Sequence, residues 1–377
     1  MRMSQLGPTV ILAFLMAALA TAQLDKPKAN EKGPDMEKPK ELSRGSVFGG
    51  KNLDQWMKDL KSKDPSVREN AIATLKLYGY VAREAIPDLI HLSKDKDVSV
   101  RVNAVIAIGM IGLDDQNQQE GVAALVRALG DSQAIIRYQA AVGLSRLGAQ
   151  AKGAIPHLTS ALGSDFSSSG HSWEIRRAAA AALGNVAQDK ENGPDARAAL
   201  ALTRAFTDVS AQVRLEAVLS TIVLGPPAKA ADKATVQRAL VLTLKDSNKH
   251  VAIWGHMAQM RMEKVSDEHL AAIAKYLKND EISVRAHVGR ALGTIGRDAR
   301  SRLPELIDAL QVEQEPEAIY WIVWAIMNVE GATPRAMSAV SQLLQHKDKE
   351  VRKMAEIALK MLKEYKAAPE PEKPKGK

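Results

Sequence analysis

Eight histidines, at His91, His157, His171, His250, His256, His269, His287 and His346, are the first side chains in this chain that could do chemistry. Two histidines hold a metal on a helix when they recur as H-E-x-x-H, and on a strand as H-x-H; neither spacing occurs here. His250 and His256 are six residues apart, which is not one helical face. Cysteine is absent, so thiolate metal sites, disulfides, haem attachment through C-x-x-C-H and acylation at a cysteine are all excluded. Asp114 and Asp115 with Glu120 form an acidic turn that could hold a cation weakly, but too few oxygens converge there, and a solvated loop is the simpler reading. Gly49-Gly50-Lys51 lacks the spacing of a phosphate-binding loop and reads as a flexible lead into the first helix. The residues therefore predict no catalytic residue, no metal and no cofactor.

A different set of residues recurs with regularity. A β-branched residue followed by Arg opens an Ala/Leu-rich run at Val67-Arg68, Val100-Arg101, Ile136-Arg137, Ile175-Arg176, Val213-Arg214, Val284-Arg285 and Val351-Arg352. Degenerate copies stand at Val251-Ala252 and Ile319-Tyr320. Successive second positions are 33, 36, 39, 38, 38, 33, 35 and 32 residues apart. A period in this range marks stacked supersecondary units, none of which can bury its apolar face alone.

Each unit divides into two helical runs, the first pair near 52–62 and 66–79 and the last near 333–345 and 349–365. Gly79, Gly112, Gly148, Gly225 and Gly296 fall where second helices should end. Pro87, Pro156 and Pro304 fall in the first turn of first helices, where a missing N–H costs little. Asp64, Asp97, Asp131, Asp208, Asp246, Asp280 and Asp348 stand at or just before second-helix starts, where an acid can cap free N–H groups. The predicted fold is an all-α solenoid of about nine two-helix repeats over residues 46–365.

The run Asp97-Val98-Ser99-Val100-Arg101 through Ala107-Ile108-Gly109-Met110-Ile111-Gly112 carries a D-x-x-V-R…A-L-G-x-I-G signature, which recurs from Val284-Arg285 through Ala291-Leu292-Gly293-Thr294-Ile295-Gly296. Ala85-Ile86-Pro87-Asp88-Leu89 and Ala154-Ile155-Pro156-His157-Leu158 supply the matching first-helix motif. Over roughly residues 50–363 the chain resembles HEAT-repeat proteins, in particular the short bacterial repeats of the phycobilisome-lyase type. The resemblance implies an α-solenoid that acts as a scaffold or partner-binding surface, a few relatives being enzymes. It also implies that recurring Asp and Arg residues fasten neighbouring units. The expected ladder comprises Asp64, Arg68, Asp97, Arg101, Arg137, Arg176, Asp208, Arg214, Arg285, Asp348 and Arg352. One branch of the family holds iron through His-Glu dipeptides, and this chain has none. Another repairs alkylated DNA through a basic face; the formal charge of +8 falls to +4 over residues 46–362, too dilute for a nucleic-acid stripe.

Residues 1–22 read as a secretory signal: Arg2, an apolar run from Val10 to Leu19, and Ala20-Thr21-Ala22 before Gln23. Cleavage after Ala22 would leave no transmembrane span; an uncleaved N-terminal anchor is the alternative. Either way the expected location is exported, periplasmic or extracellular. Residues 23–45 and 366–377, rich in Lys, Pro and Glu, read as a disordered linker and tail.

With the β-branched anchor as position zero, steps of 100° send positions 2, 6 and 9 of each second helix away from the core. Val102, Ile106, Tyr138, Val142, Leu215, Leu219, Ile253, Met257, Met260 and Trp321 then form an apolar track, with Trp254 beside it. Either this track is an open interaction surface on the concave face or tight stacking buries it. The long turn from Gly163 to His171 is a second candidate. The expected function is a non-enzymatic exported scaffold that binds a protein or peptide partner and no nucleic acid. The alternatives are a lyase-type enzyme or small-molecule binder with a Trp/Met-lined pocket in units six to eight, and a purely structural spacer.

Overall fold

The computed structural model describes residues 43–163, 172–189, 193–330 and 332–364. The signal, most of the linker, the tail and nearly all of the Gly163–His171 turn lie outside the described residues.

Within this set the chain forms nine consecutive helix pairs. The first three pairs are α1 (Leu53–Asp59) with α2 (Pro65–Tyr78), α3 (Ile86–Leu92) with α4 (Val98–Ile111), and α5 (Gln118–Ala128) with α6 (Ala134–Leu147). Next come α7 (Ile155–Gly163) with α8 (Ser172–Val186), α9 (Ala196–Ala205) with α10 (Ala211–Leu224), and α11 (Ala230–Leu240) with α12 (Lys249–Met262). The last are α13 (Asp267–Ala274) with α14 (Ile282–Ile295), α15 (Leu303–Val312) with α16 (Pro316–Asn328), and α17 (Pro334–Gln342) with α18 (Lys349–Glu364). Even-numbered helices pack side by side from α2 to α18, and odd-numbered helices form the companion layer. The chain is therefore an all-α solenoid.

The punctuation read from sequence is present. Gly79, Gly112, Gly148, Gly225 and Gly296 each stop a second helix at φ between 53° and 83°, a region closed to most L side chains. Asp64 accepts from the Ser66 N–H and Asp97 from the Val100 N–H as N-caps of α2 and α4. First helices are shorter than the sequence predicts. Before α3, α7 and α15 the chain runs as 3-10 turns over Gly79–Ala85, Gly148–Ala154 and Gly296–Arg302. Pro87, Pro156 and Pro304 explain this: a residue without an N–H cannot continue an i→i−4 ladder from the preceding turn, so the α-helix starts afresh.

Small residues set the distance between second helices. A Cβ on Gly109 of α4 would stand 2.6 Å from the Cα of Gly143 on α6. One on Gly289 of α14 would stand 2.6 Å from the Trp321 carbonyl carbon on α16. Such seams bring even-numbered helices to backbone contact, whereas odd-numbered helices touch one another less.

The first unit is closed by its own leading segment. Phe48 and Lys51 form an isolated antiparallel bridge, Trp56 donates to the Phe48 carbonyl at 3.1 Å, and Tyr78 donates to the Ser46 carbonyl at 2.5 Å. Gly49-Gly50-Lys51 is the turn of this cap, and Lys51 pairs with Asp59 at 2.6 Å. Arg44, assigned to the linker by composition, pairs with Asp54 and Glu84.

Candidate partner-binding surface

The recurrent Arg is turned inward. Nη1 of Arg68, Arg101, Arg214 and Arg285 donates to two backbone carbonyls five and six residues upstream, at 2.7–3.4 Å. Arg137 and Arg352 make the same pair of bonds. The far side of the guanidinium crosses to the next unit: Arg68 to Asp95, Arg101 to Asp131, Arg176 to Asp208, Arg214 to Asp246 and Arg285 to Glu313, at 2.6–3.2 Å. Each of these acids also accepts backbone N–H groups that lead into its own second helix, as Asp246 does from Asn248 and Asp208 from Ser210. Burial pushes the Asp208 carboxyl up, but the bonds from Arg176 and the Ser210 N–H, with the Arg214 charge, outweigh it and hold it below the usual range. At these five rungs Arg bolts its own unit to the next, which turns its charge toward the protein rather than toward a phosphate.

Three members of the expected ladder do another job. Asp64, Asp97 and Asp348 cap helix N-termini, Asp348 accepting from the Glu350 and Val351 N–H groups. The ladder acid sits two residues earlier in the turn, at Asp95 rather than Asp97, because only there does the carboxylate face the preceding unit. Where the Arg is lost, its acid is lost as well. Ala252 replaces Arg in unit six, and Asn279 stands where unit seven should carry the acid; Tyr320 replaces Arg in unit eight, and His346 takes the acid's place in unit nine. Neither junction is left with an orphaned buried charge.

The apolar track divides. Val102, Ile106, Tyr138, Val142, Leu215, Leu219 and Trp321 are half-buried, each keeping a face open on the second-helix layer. Ile253, Trp254, Met257 and Met260 are buried, between 0% and 7% exposed, so unit six does not present them to a partner. On the same helix Gly255 lacks a side chain where Thr243 packs against α12. Position 9 is also displaced from the expected open row: Gly109, Gly184 and Gly293 lie in the inter-helix seams, and the exposed row is position 10, with Leu77, Met110, Val223 and Met361. The helical phase is one residue later at that end than steps of 100° place it.

Unit six is tied to its neighbours by rings. The Trp254 indole donates to Nδ1 of His287 at 2.8 Å, and the His250 and His287 rings meet edge-on at 4.3 Å. His256 and His269 share a proton between Nδ1 atoms 2.9 Å apart. Burial, then His250 and Arg290, pushes His287 down to about 3; burial, then His269 and Lys275, pushes His256 down to about 4. Both rings are neutral at pH 7. Arg290 lies over the rings of Trp254 and Trp321, 5.4 and 5.7 Å from their centroids. Trp321 in turn meets Tyr320 at 5.3 Å and Trp324 at 5.5 Å.

Among the described residues no three His, Cys, Asp or Glu side chains gather as a metal site would need. Asp114 is satisfied locally by the Gln116 and Asn117 N–H groups. Two shallow surface clefts are lined by Ser93–Lys96 with Arg101 and Asp131, and by Leu344 with Glu356–Glu364 side chains of α18. Neither includes Trp254, Met257 or Trp321.

The fold class is thus a helical-repeat solenoid. The family model for HEAT repeats matches residues 53–118, the first two units of the array. No curated protein matches it. Similar solved structures include a designed armadillo repeat protein, YIII(Dq)4CqI, at 20% identity and TM-score 0.42, covering 56% of this chain and 100% of that one. The karyopherin Kap121p bound to Ste12p matches at 14% identity and TM-score 0.47, and Kap121p bound to the SUMO protease Ulp1p at 14% and 0.48. Each karyopherin match covers 83% of this chain and 37% of that one, so the chain spans little more than a third of the karyopherin's length.

Proposed function

We propose that the protein is a non-enzymatic, exported scaffold that binds a polypeptide partner along its second-helix layer. The observation that carries the reading is the set of half-open apolar positions where a soluble repeat surface would ordinarily be polar: Val102 and Ile106 on α4, Tyr138 and Val142 on α6, and Leu215 and Leu219 on α10, interrupted on α8 by the exposed Arg177. Burial of Trp254 and Met257 removes the lining expected of a small-molecule pocket, which favours the scaffold over the lyase-type reading. Export rests on residues 1–22, and kinship to the phycobilisome-lyase type on the repeat signature alone.

A photo-cross-linking amino acid at Ile106, Val142 or Leu219, introduced one at a time in the full chain in its native host, tests the binding face. One adduct of constant mass from all three sites, and none from the exposed companion-layer position Arg204 on α9, is the expected outcome. Adducts of equal yield from both layers, or none from the row, would leave a spacer as the better reading. Recovery of the protein from the exported fraction with Gln23 at its N-terminus is expected; an intact Met1 in the cytosol would remove the export assignment.

A further inference from the structure

Arg290 is a cation that the repeat does not explain. It occupies position 6 of α14, where other units carry apolar or small residues, and it is half-buried. The five rung arginines each meet a carboxylate, whereas among the described residues no acid pairs with Arg290. Its pKa is lowered by burial alone, with no acidic neighbour to offset it. His287 beside it is neutral; since its Nδ1 accepts from Trp254, its proton stands on Nε2.

Taking a guanidinium partly out of water without a counter-ion costs free energy, and the Trp254 and Trp321 rings return only part of it. A guanidinium held against aromatic rings by its charge still has five N–H donors to place. Here they make no bond to the protein among the described residues. The clamp is built by the fold: the bare Gly289 and Gly293 let α16 approach α14, which sets Trp321 beside Arg290 and Trp324 against Gly293. A half-buried guanidinium with unpaired N–H donors and aromatic neighbours fits one carboxylate held by two parallel bonds.

We propose that Arg290, clamped between Trp254 and Trp321, anchors a carboxylate of the polypeptide partner, either an Asp or Glu side chain or a free C-terminus. This rests on the reading of the second-helix layer as a protein-binding surface. The half-buried Tyr320, Trp321 and Trp324 alongside call for apolar or aromatic residues next to that carboxylate. A nucleic acid fits poorly, since one isolated cation offers no track for successive phosphates.

The test uses the full chain, its R290Q and R290K variants, and a random dodecapeptide display library as probe. Wild type should enrich Asp or Glu at one fixed position, or a free carboxyl end, beside apolar residues; R290Q should enrich the apolar part without the acid. For a synthesised winner, R290Q in the protein and acid-to-amide exchange in the peptide should each weaken binding at least tenfold, and together no further. R290K should keep part of the affinity, and C-terminal amidation separates the two carboxylate sources. Should R290Q fail to fold, R290K with the acid-to-amide peptide carries the comparison. Winners lacking an acid, or an acid whose contribution survives R290Q, would overturn the anchor while leaving the binding surface intact. No enrichment at all would overturn both, and so would tighter, Arg290-dependent binding of a twelve-nucleotide single strand overturn the anchor.

Discussion

Arg214 shows what a single rung contributes. Its guanidinium spends two bonds on the Asp208 and Val209 carbonyls and two on Asp246, and the two side chains are only 14% and 8% exposed. Arg214→Met strands a buried carboxylate and two carbonyls, so a loss of about 2–4 kcal/mol in urea unfolding is expected. Adding Asp246→Leu should restore much of it, as the Ala252 and Asn279 pairing does at the next junction. Histidines set a second expectation. His256 and His287 titrate in the folded chain at about 4 and about 3, against about 6.5 when unfolded. The unfolded chain therefore binds more protons between these limits. Stability should be level above pH 7, fall as pH drops through 6.5, and stop falling from this source near pH 3. Chemical denaturation from pH 7 to pH 4.5 should show the fall, and a His256→Gln, His287→Gln double variant should flatten it. At this scale the sequence was partly legible. The inward Arg followed from its neighbour being a core Val, but Asp95 and Asp97 differ by two residues in one turn, and only the geometry separates bolt from cap. Arg290 stood in the position-6 row as its one charge, a signal readable in the sequence but masked by the apolar residues around it.

Helices are spaced here by what their glycines lack. Gly289→Ala would drive a methyl into the Trp321–Ile322 peptide, with atoms at 2.6, 2.7 and 2.9 Å, none of them the end of a flexible side chain. A cost of about 1–3 kcal/mol is expected, read as a lower midpoint in thermal unfolding. Gly50→Ala meets no atom within 4 Å and tests the other limit, since its φ of 78° alone is at stake. If Gly289→Ala left the midpoint unchanged, α14 and α16 would not be in backbone contact. Element boundaries were legible wherever a local signal exists, as with the five glycines that end second helices. The 3-10 turns before α3, α7 and α15 were not, because helical periodicity continues through them and only the backbone reveals the tighter winding. Burial of Ile253 and Met257 was equally hidden, because it depends on packing between helices rather than on any signal within one.

Along the whole array, cohesion is uneven. Rungs join units one to two, two to three, four to five, five to six and seven to eight. Between units six and seven the fastenings include the Trp254–His287 and His256–His269 bonds, the His250–His287 contact and an exposed Lys249–Glu281 pair at 3.5 Å, with no rung among the described residues. A linear array unfolds where neighbour coupling is weakest. Amide hydrogen exchange should therefore release α14, α16 and α18 as one block at lower denaturant than α8 and α10; simultaneous release of all five would mean that rings couple as strongly as rungs. The repeat period made the architecture legible from sequence alone, because every unit repeats the same signals. Unevenness of the junctions was legible too, in the two degenerate copies, but which bonds replace the rungs was not.

A rung is also a connector with two ends, and its ends are standardised. Excision of residues 96–131 would join Asp95 to Ser132, leaving Arg68 opposite its usual acid and Arg137 with a familiar turn upstream. Excision of residues 247–279 would instead run Asp246 into Asp280, so that Arg214 keeps its acid and Arg285 inherits one side of a rung turn. By contrast, excision of residues 209–246 would set Arg176 against Asp208 but lead that turn into Ala252, a unit with no Arg to grip it. Length can thus change by whole periods wherever both halves of the connector survive the cut, and the chain's two mismatched junctions mark where such growth or shrinkage stops.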